Sequence, residues 1–151
     1  MMVLLACLAL LFTSLSSGSF IDFERIGGIA DNNSEAAAFY NQKLLNTTLN
    51  SLLPSDVLYL SNKTFTLVGG IFVTGIKNVT IKLDGTLNFT SDRDTWPTDE
   101  NGNVLECMYF EDIENVAFTS GGKGTYNGNG RPWWGAIKFL VSSRMESPIL
   151  M

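Results

Sequence analysis

The chain has 151 residues, which is enough for one modest domain, and 45% of them are hydrophobic. Its formal net charge is −5, and its ten basic residues are scattered along the sequence. Phosphate binding needs clustered lysine and arginine, so this composition argues against a nucleic-acid partner.

Residues 1–18 have the pattern of a cleavable secretion signal. Residues 3–12 form an almost unbroken apolar run, and small residues follow it up to Gly18. A membrane-spanning helix needs about 20 apolar residues, so a stable membrane anchor is the less favoured alternative. We therefore expect a secreted, extracellular protein.

Five N-x-[ST] sequons agree with secretion, because this many acceptor sites are typical of a secretory glycoprotein. The candidate glycosylation sites are Asn32, Asn46, Asn62, Asn78 and Asn88. We expect glycans mainly at Asn46, Asn62 and Asn88, for a reason that involves the repeat described below.

Cys107 is the one cysteine that remains once Cys7 is removed with the signal. An unpaired cysteine in a secreted chain indicates a free buried thiol, an intermolecular bridge, or a partner that this sequence lacks.

Residues 19–56 form an N-terminal segment with one amphipathic helix. Residues 31–34 supply N-cap side chains, Glu35 lies in the first turn, and apolar residues then recur at helical spacing until Pro54. Because the first coil of a solenoid exposes apolar side chains, we expect this helix to cap it.

Residues 57–151 contain a repeat. The segment 76–81 reappears as 113–118, and each copy leads into a Gly-Thr-x-Asn phrase, at 85–88 and at 124–127. Each copy is a short alternating run followed by Gly, Asn and Asp turn residues, so the repeat predicts stacked coils of a solenoid. Antiparallel hairpins are the alternative, favoured by the Asp84-Gly85 dipeptide.

Two further expectations follow from this repeat. Asn78 and Asn115 hold equivalent places and are expected to stack as an asparagine ladder, which would sequester the Asn78 amide from a glycan. Residues 91–106 are polar and lack apolar periodicity, so they are expected to form a loop inserted between coils.

Several charged or glycine-rich stretches have simple interpretations. The acidic cluster around Asp112 and the acidic loop around Asp94 are expected to be solvated rather than catalytic or calcium-binding. Residues 121–125 superficially suggest a phosphate loop, but they lack its upstream glycine and are expected to be a turn. We accordingly expect no cofactor and no metal site.

Residues 124–134 resemble the "G-x-I-D-G-x-G-x-x-W-W" turn of family-28 glycoside hydrolases, the polygalacturonases. Residues 78–87 resemble their "N-V-T-L-x-L-x-x-G-A-T-L" stretch, and residues 62–71 resemble their "P-x-G-T-F…G-x-I" opening. The resemblance covers roughly residues 34–134. It implies an all-β fold, the right-handed parallel β-helix of pectin-lyase-like proteins, of which this chain holds the first coils.

The resemblance also implies inverting hydrolysis of a pectic or related polysaccharide, with carboxylic groups that protonate the leaving oxygen and activate water. The family motifs that carry this chemistry lie downstream of the double tryptophan, and the chain has no histidine. No catalytic residue is therefore assigned. Trp133 and Trp134 either stack on sugar rings or fill the space beneath the flanking loop.

Two functions remain open. The first is the N-terminal fragment of a secreted glycoside hydrolase resembling polygalacturonases, with residues 57–151 forming an incomplete β-helix. The second is a secreted β-helix module that binds polysaccharide without catalysis. The last three residues of the chain are apolar, so we expect a chain that ends at the start of a coil and aggregates through that end.

Overall fold

The computed structural model describes residues 17–133, so nearly all of the predicted secretion signal, Trp134 and residues 135–151 lie outside the described part. The described part holds nine strands, one α-helix and a short 3-10 helix. Their bounds are β1 Phe20–Asp22, α1 Glu35–Asn50, β2 Val57–Leu60, β3 Thr64–Leu67, β4 Ile71–Thr74, β5 Lys77–Leu83, β6 Thr86–Phe89, β7 Met108–Glu111, β8 Glu114–Thr119, β9 Thr125–Asn127 and η1 Arg131–Trp133.

The strands form three sheets in which every pair of neighbours is parallel. Sheet A has the order β1-β2-β5-β8, sheet B the order β3-β6-β9, and sheet C the order β4-β7. From β2 onward the chain visits A, B and C in turn and then returns to A, so it coils. The antiparallel alternative is wrong, because the one antiparallel bridge in residues 17–133 joins Thr98 to Val104 inside a loop.

The sequence repeat is a stacking of strands. Val79 lies opposite Val116 in the β5–β8 pair, so the two copies occupy neighbouring coils in register. In the β2–β5 pair, Val57 lies opposite Thr80, one short coil later in the chain. In the β4–β7 pair, Ile71 lies opposite Met108, and this coil is longer because it contains residues 90–107. The expected insertion between coils is therefore confirmed.

The interior of the coils is apolar because successive strand residues point to opposite faces. In β4, for example, Ile71 and Val73 are buried while Phe72 and Thr74 are exposed. The same alternation gives one continuous core, which includes Leu58, Leu60, Phe65, Leu67, Val79, Ile81, Leu87 and Phe89.

Helix α1 begins where the sequence predicts. The Ser34 backbone is extended, at φ −67° and ψ 149°, and its hydroxyl accepts the Ala37 N–H at 3.2 Å, which satisfies one of the free N–H groups of the first turn. The helix buries Leu45 and Leu49 against the core. It is 16 residues long, and no helix in residues 17–133 is long and apolar enough to cross a membrane.

Side chains of α1 also bond to the outer edges of β3 and β4. Asn46 Oδ1 accepts the Phe72 N–H at 2.9 Å, and Asn50 exchanges two bonds with the β4 backbone, accepting from Thr74 N and donating to Phe72 O. Asn41, fully buried, donates to Thr66 O at 3.0 Å. These amides supply partners for edge groups that would otherwise invite pairing with another chain.

The predicted asparagine ladder is confirmed. Asn115 Nδ2 donates to Asn78 Oδ1 at 2.8 Å, at the corner where β5 and β8 of sheet A begin. Both residues have left-handed backbones, with φ of 54° and 50°, which asparagine tolerates better than most residues. A Lys77–Glu114 ion pair of 2.8 Å lies beside them, so this corner is tied by two side-chain contacts.

Candidate functional site

The loop between β6 and β7 is packed onto the turn from sheet B to sheet C by Trp96. The indole N–H of Trp96 donates to Leu105 O at 2.8 Å, and its ring lies against Trp133 with centroids 5.0 Å apart. A Cβ on Gly69 would overlap the Trp96 ring. The loop is therefore held by close packing around one buried tryptophan.

Trp133 takes part in this packing. Trp133 is only 7% exposed, and the Arg93 guanidinium carbon lies over its ring, 5.7 Å from the ring centroid. A sugar ring needs an accessible aromatic face, so this burial favours packing over sugar stacking for Trp133. Trp134, the other candidate for sugar stacking, lies outside the described residues.

A polar groove of about 300 Å³ lies beside the loop, on the outer side of sheet B. Its lining side chains are hydroxyls, amides and carboxylates. They belong to Asn33, Glu35, Thr66, Asn88, Thr90, Ser91, Asp92, Thr95 and Asn129.

Strand register places the floor of this polar groove. Thr66 on β3 lies opposite Asn88 on β6, so these two lining residues are neighbours across the coils. Asn127 on β9 lies opposite Asn88 and continues the row of outward-facing polar side chains beyond the groove. Asn33 adds a fourth group, because its Oδ1 accepts the Thr66 hydroxyl at 2.8 Å. The alternation that buries the inward residues of sheet B thus aligns a polar row outside.

Amide contacts hold the C-terminal end of the groove. Asn88 Oδ1 accepts from Asn127 Nδ2 at 2.9 Å and from Asn129 Nδ2 at 3.1 Å, and Asn129 Nδ2 also donates to Phe89 O at 2.6 Å. This second amide cluster was not predicted from the sequence. The signal was present in the repeated Gly-Thr-x-Asn phrase, whose asparagines are residues 88 and 127.

The lining of the groove is acidic. Glu35 and Asp92 line it, and no lysine or arginine is among its described lining residues. Amides and hydroxyls both donate and accept hydrogen bonds, so the groove suits an uncharged, hydroxyl-rich ligand. An anionic ligand would face two carboxylates.

The acidic cluster of residues 111–114 makes structural contacts. Glu114 pairs with Lys77, which lowers the pKa of the Glu114 carboxyl and raises that of the Lys77 ammonium. The Glu111 carbonyl accepts the Gly75 N–H. These groups support the corner and lie on an exposed surface, as expected of solvated turn charges.

The glycine-rich segment after β8 is a turn, as predicted. The Ser120 hydroxyl accepts the N–H groups of Gly122, Lys123 and Gly124, and Asp84 Oδ1 accepts that of Gly121 at 2.8 Å. The N–H groups that a phosphate loop would offer to its ligand are thus used within the protein.

The acidic loop is ordered by its own bonds. Asp99 accepts from Asn103 through both side chain and backbone, and these bonds, with one from Asn101, lower the pKa of the Asp99 carboxyl. Within residues 17–133 no group of three His, Cys, Asp or Glu side chains is placed to hold a metal ion.

An apolar cavity of about 500 Å³ runs from the helix side of the core, at Leu45 and Leu49, to the inward faces of β8 and β9. It ends at Phe118 and Tyr126, which are 58% and 52% exposed among the described residues. Cys107 lies half-buried near this end, and desolvation raises the pKa of its thiol. The last described coil thus presents apolar side chains without a covering layer in residues 17–133.

Comparison with known proteins gives one curated relative, an exopolygalacturonase of Rhizopus delemar. It is 32% identical over 81 residues, which cover 54% of this chain but 19% of that enzyme. The chain therefore spans about a fifth of the length of its relative. No family profile matches the chain, and no solved structure matches it. The partial match points to a polygalacturonase-like relationship over the aligned part.

Proposed function

We propose that this chain is the N-terminal part of a secreted glycoside hydrolase that acts on a pectic or related polysaccharide. The observation that carries the proposal is the match to an exopolygalacturonase in a chain whose strands coil through three parallel sheets. In this account the coils are the first ones of a right-handed, pectin-lyase-like β-helix. Helix α1 caps them, and its amide bonds to β3 and β4 support that role.

The described residues contribute binding rather than bond cleavage in this account. Inverting glycosidases need one carboxylic acid to protonate the leaving oxygen and a carboxylate across the cleft to activate water. These groups would come from coils beyond this chain. The polar groove would hold a neighbouring stretch of the polysaccharide through hydrogen bonds between sugar hydroxyls and the side chains of Asn88, Ser91 and Asn129.

Charge decides which part of a polysaccharide fits. Because Glu35 and Asp92 would repel a galacturonate carboxylate, the groove is expected to prefer neutral sugars or the hydroxyl edge of a pectic chain. Retention of the protein in native gels containing neutral galactan should therefore exceed retention in gels containing polygalacturonan. Asp92→Asn should reduce this difference.

A steric variant tests the groove itself. Ser91 lines the groove and is exposed, so Ser91→Trp should fill the groove and weaken polysaccharide retention at least tenfold. Thr47 is exposed on α1 and is absent from the groove lining, so Thr47→Trp is the matched control that should bind as the unaltered protein does. Equal retention of both variants would show that the polysaccharide does not bind in the groove.

A polysaccharide-binding module without catalysis is the second candidate. The observation that favours it is a polar groove in a chain that has no histidine. The two functions differ in what the complete protein does to a bound polysaccharide. Release of reducing ends supports the hydrolase, and retention without release supports the binding module.

A further inference from the structure

The five sequons differ in how the fold uses their asparagine side chains. An N-linked glycan is joined to the amide nitrogen, and it is bulky and solvent-facing. An asparagine that carries one must therefore project from the surface and leave neighbouring segments undisturbed. This criterion separates the five sites into two groups.

Asn46 lies half-buried between α1 and β4. Its Oδ1 accepts the Phe72 N–H at 2.9 Å, across the boundary between helix and strand. Thr48, the threonine of the same sequon, is buried and donates its hydroxyl to Leu44 O at 2.8 Å. A glycan on Asn46 would lie where the helix meets the strand, so this position is unfavourable.

Asn88 is also half-buried. Its Oδ1 accepts from both Asn127 and Asn129, which belong to the next coil and to the turn that follows it. A sugar joined to this amide would compete for space with those two side chains.

Asn78 is exposed, but its amide belongs to the ladder. Its Oδ1 accepts from Asn115 Nδ2 at 2.8 Å, beside the ion pair of Lys77 and Glu114. A glycan there would lie against a corner that already joins two coils.

Asn32 and Asn62 are different. Both are exposed, and within the described residues no side-chain hydrogen bond ties either of them to another coil. Asn32 Oδ1 accepts only from Ser34 N in its own turn, at 2.9 Å. The two turns are neighbours, because Asp31 and Thr64 exchange bonds of 2.7 and 3.0 Å beside β3.

We propose that Asn32 and Asn62 are the glycan-bearing asparagines, and that Asn46, Asn78 and Asn88 stay unmodified as structural amides. This proposal replaces the expectation from the sequence, which placed glycans mainly at Asn46, Asn62 and Asn88. The two glycans would lie at one corner, near the outer edge of β3, and would shield that edge from pairing with another chain. The inference requires passage through a secretory pathway, but it is independent of the polysaccharide-related function.

The test is glycopeptide mapping of the chain, with residues 1–18 included, expressed in a eukaryotic secretory host. Enzymatic removal of N-glycans in ¹⁸O-water converts each occupied asparagine to labelled aspartate. The label is expected at Asn32 and Asn62 in the total product. Label at Asn46 or Asn88 in soluble protein, or none at Asn32 and Asn62, would overturn the proposal while leaving the relationship to polygalacturonases untouched.

Variants provide a second readout. Asn32→Gln and Asn62→Gln should each remove one glycan step in gel mobility. Asn62→Gln should also leave the unfolding midpoint of the deglycosylated protein unchanged. Thr80→Val abolishes the sequon at Asn78 but keeps the ladder amide, so it should leave mobility unaltered. A mobility shift in Thr80→Val would show that Asn78 carries a glycan and would contradict the assignment.

Discussion

Asn41 offers a sharp test of how α1 is joined to the coils. Its side chain is fully buried and makes three hydrogen bonds. It accepts the Ile29 N–H at 2.8 Å, and it donates to Ile29 O at 2.8 Å and to Thr66 O at 3.0 Å. One amide thus links the segment before the helix, the helix and β3. We expect Asn41→Ala to destabilise the protein strongly.

The expected magnitude follows from the groups that would lose their partners. Removing one partner of a buried polar group costs about 1–3 kcal/mol, and the substitution affects the backbone groups of Ile29 and Thr66. Since water entering the vacated space restores part of the bonding, the loss of unfolding free energy should be about 2–4 kcal/mol. For a chain of this size, that corresponds to a melting temperature lower by roughly 4–16 °C.

Urea unfolding at low micromolar protein, followed by tryptophan fluorescence, measures this free energy. Gln42→Ala is the matched control one residue away, since Gln42 makes a single half-buried bond of 3.1 Å to Gly70 O. It should lose about 1 kcal/mol or less. A loss below 1 kcal/mol for Asn41→Ala would refute the three-bond arrangement and the close attachment of α1 to β3.

Two further predictions concern the loop and the last coil. Gly69→Ala should displace the Trp96 ring, which should cost about 1–3 kcal/mol of stability and shift tryptophan emission to longer wavelength. Gly128→Ala is the control, because its new Cβ would meet nothing closer than 3.9 Å, and it should change neither stability nor emission. The hydrogen bond from the Gly121 N–H lowers the pKa of Asp84 below its ordinary value of 3.8. The Asp84 carboxylate therefore stabilises the fold above pH 3.8, and this stabilisation is lost as the pH falls through the pKa of Asp84 in the folded protein. The stability difference between unaltered protein and Asp84→Asn, measured by urea unfolding from pH 7 to pH 2, should shrink over that acidic interval; a constant difference would contradict the assignment.

The repeat predicted the part of the fold that depends on periodicity. Strands β5 and β8 pair because the two copies present apolar residues at the same inward positions, and Asn78 and Asn115 then fall at the same corner. The helix was predictable because Ser34 and the apolar spacing after it are local signals. A local signal also misled: the Asp84-Gly85 dipeptide favours a hairpin, but Gly85 lies in a close approach where a Cβ would overlap the Ser61 carbonyl.

Other features depend on contacts between distant segments, which periodicity does not report. Strand β1 is three residues long and is a strand because it pairs with β2. The bonds of Asn46 and Asn50 to β4 follow from where the helix docks, whereas the sequence alone marks Asn46 only as a candidate glycosylation site. The polar groove depends on how the Trp96 loop folds back, and its carboxylates are far apart in sequence.

Sequencing the transcript through and beyond the codon for Met151 tests the central claim most directly. The account predicts a longer reading frame, with further coils that cover Phe118 and Tyr126 and carry the carboxylic groups that hydrolysis requires. A stop codon immediately after Met151, in every transcript of the gene, would contradict the hydrolase account and leave polysaccharide binding as the function to test.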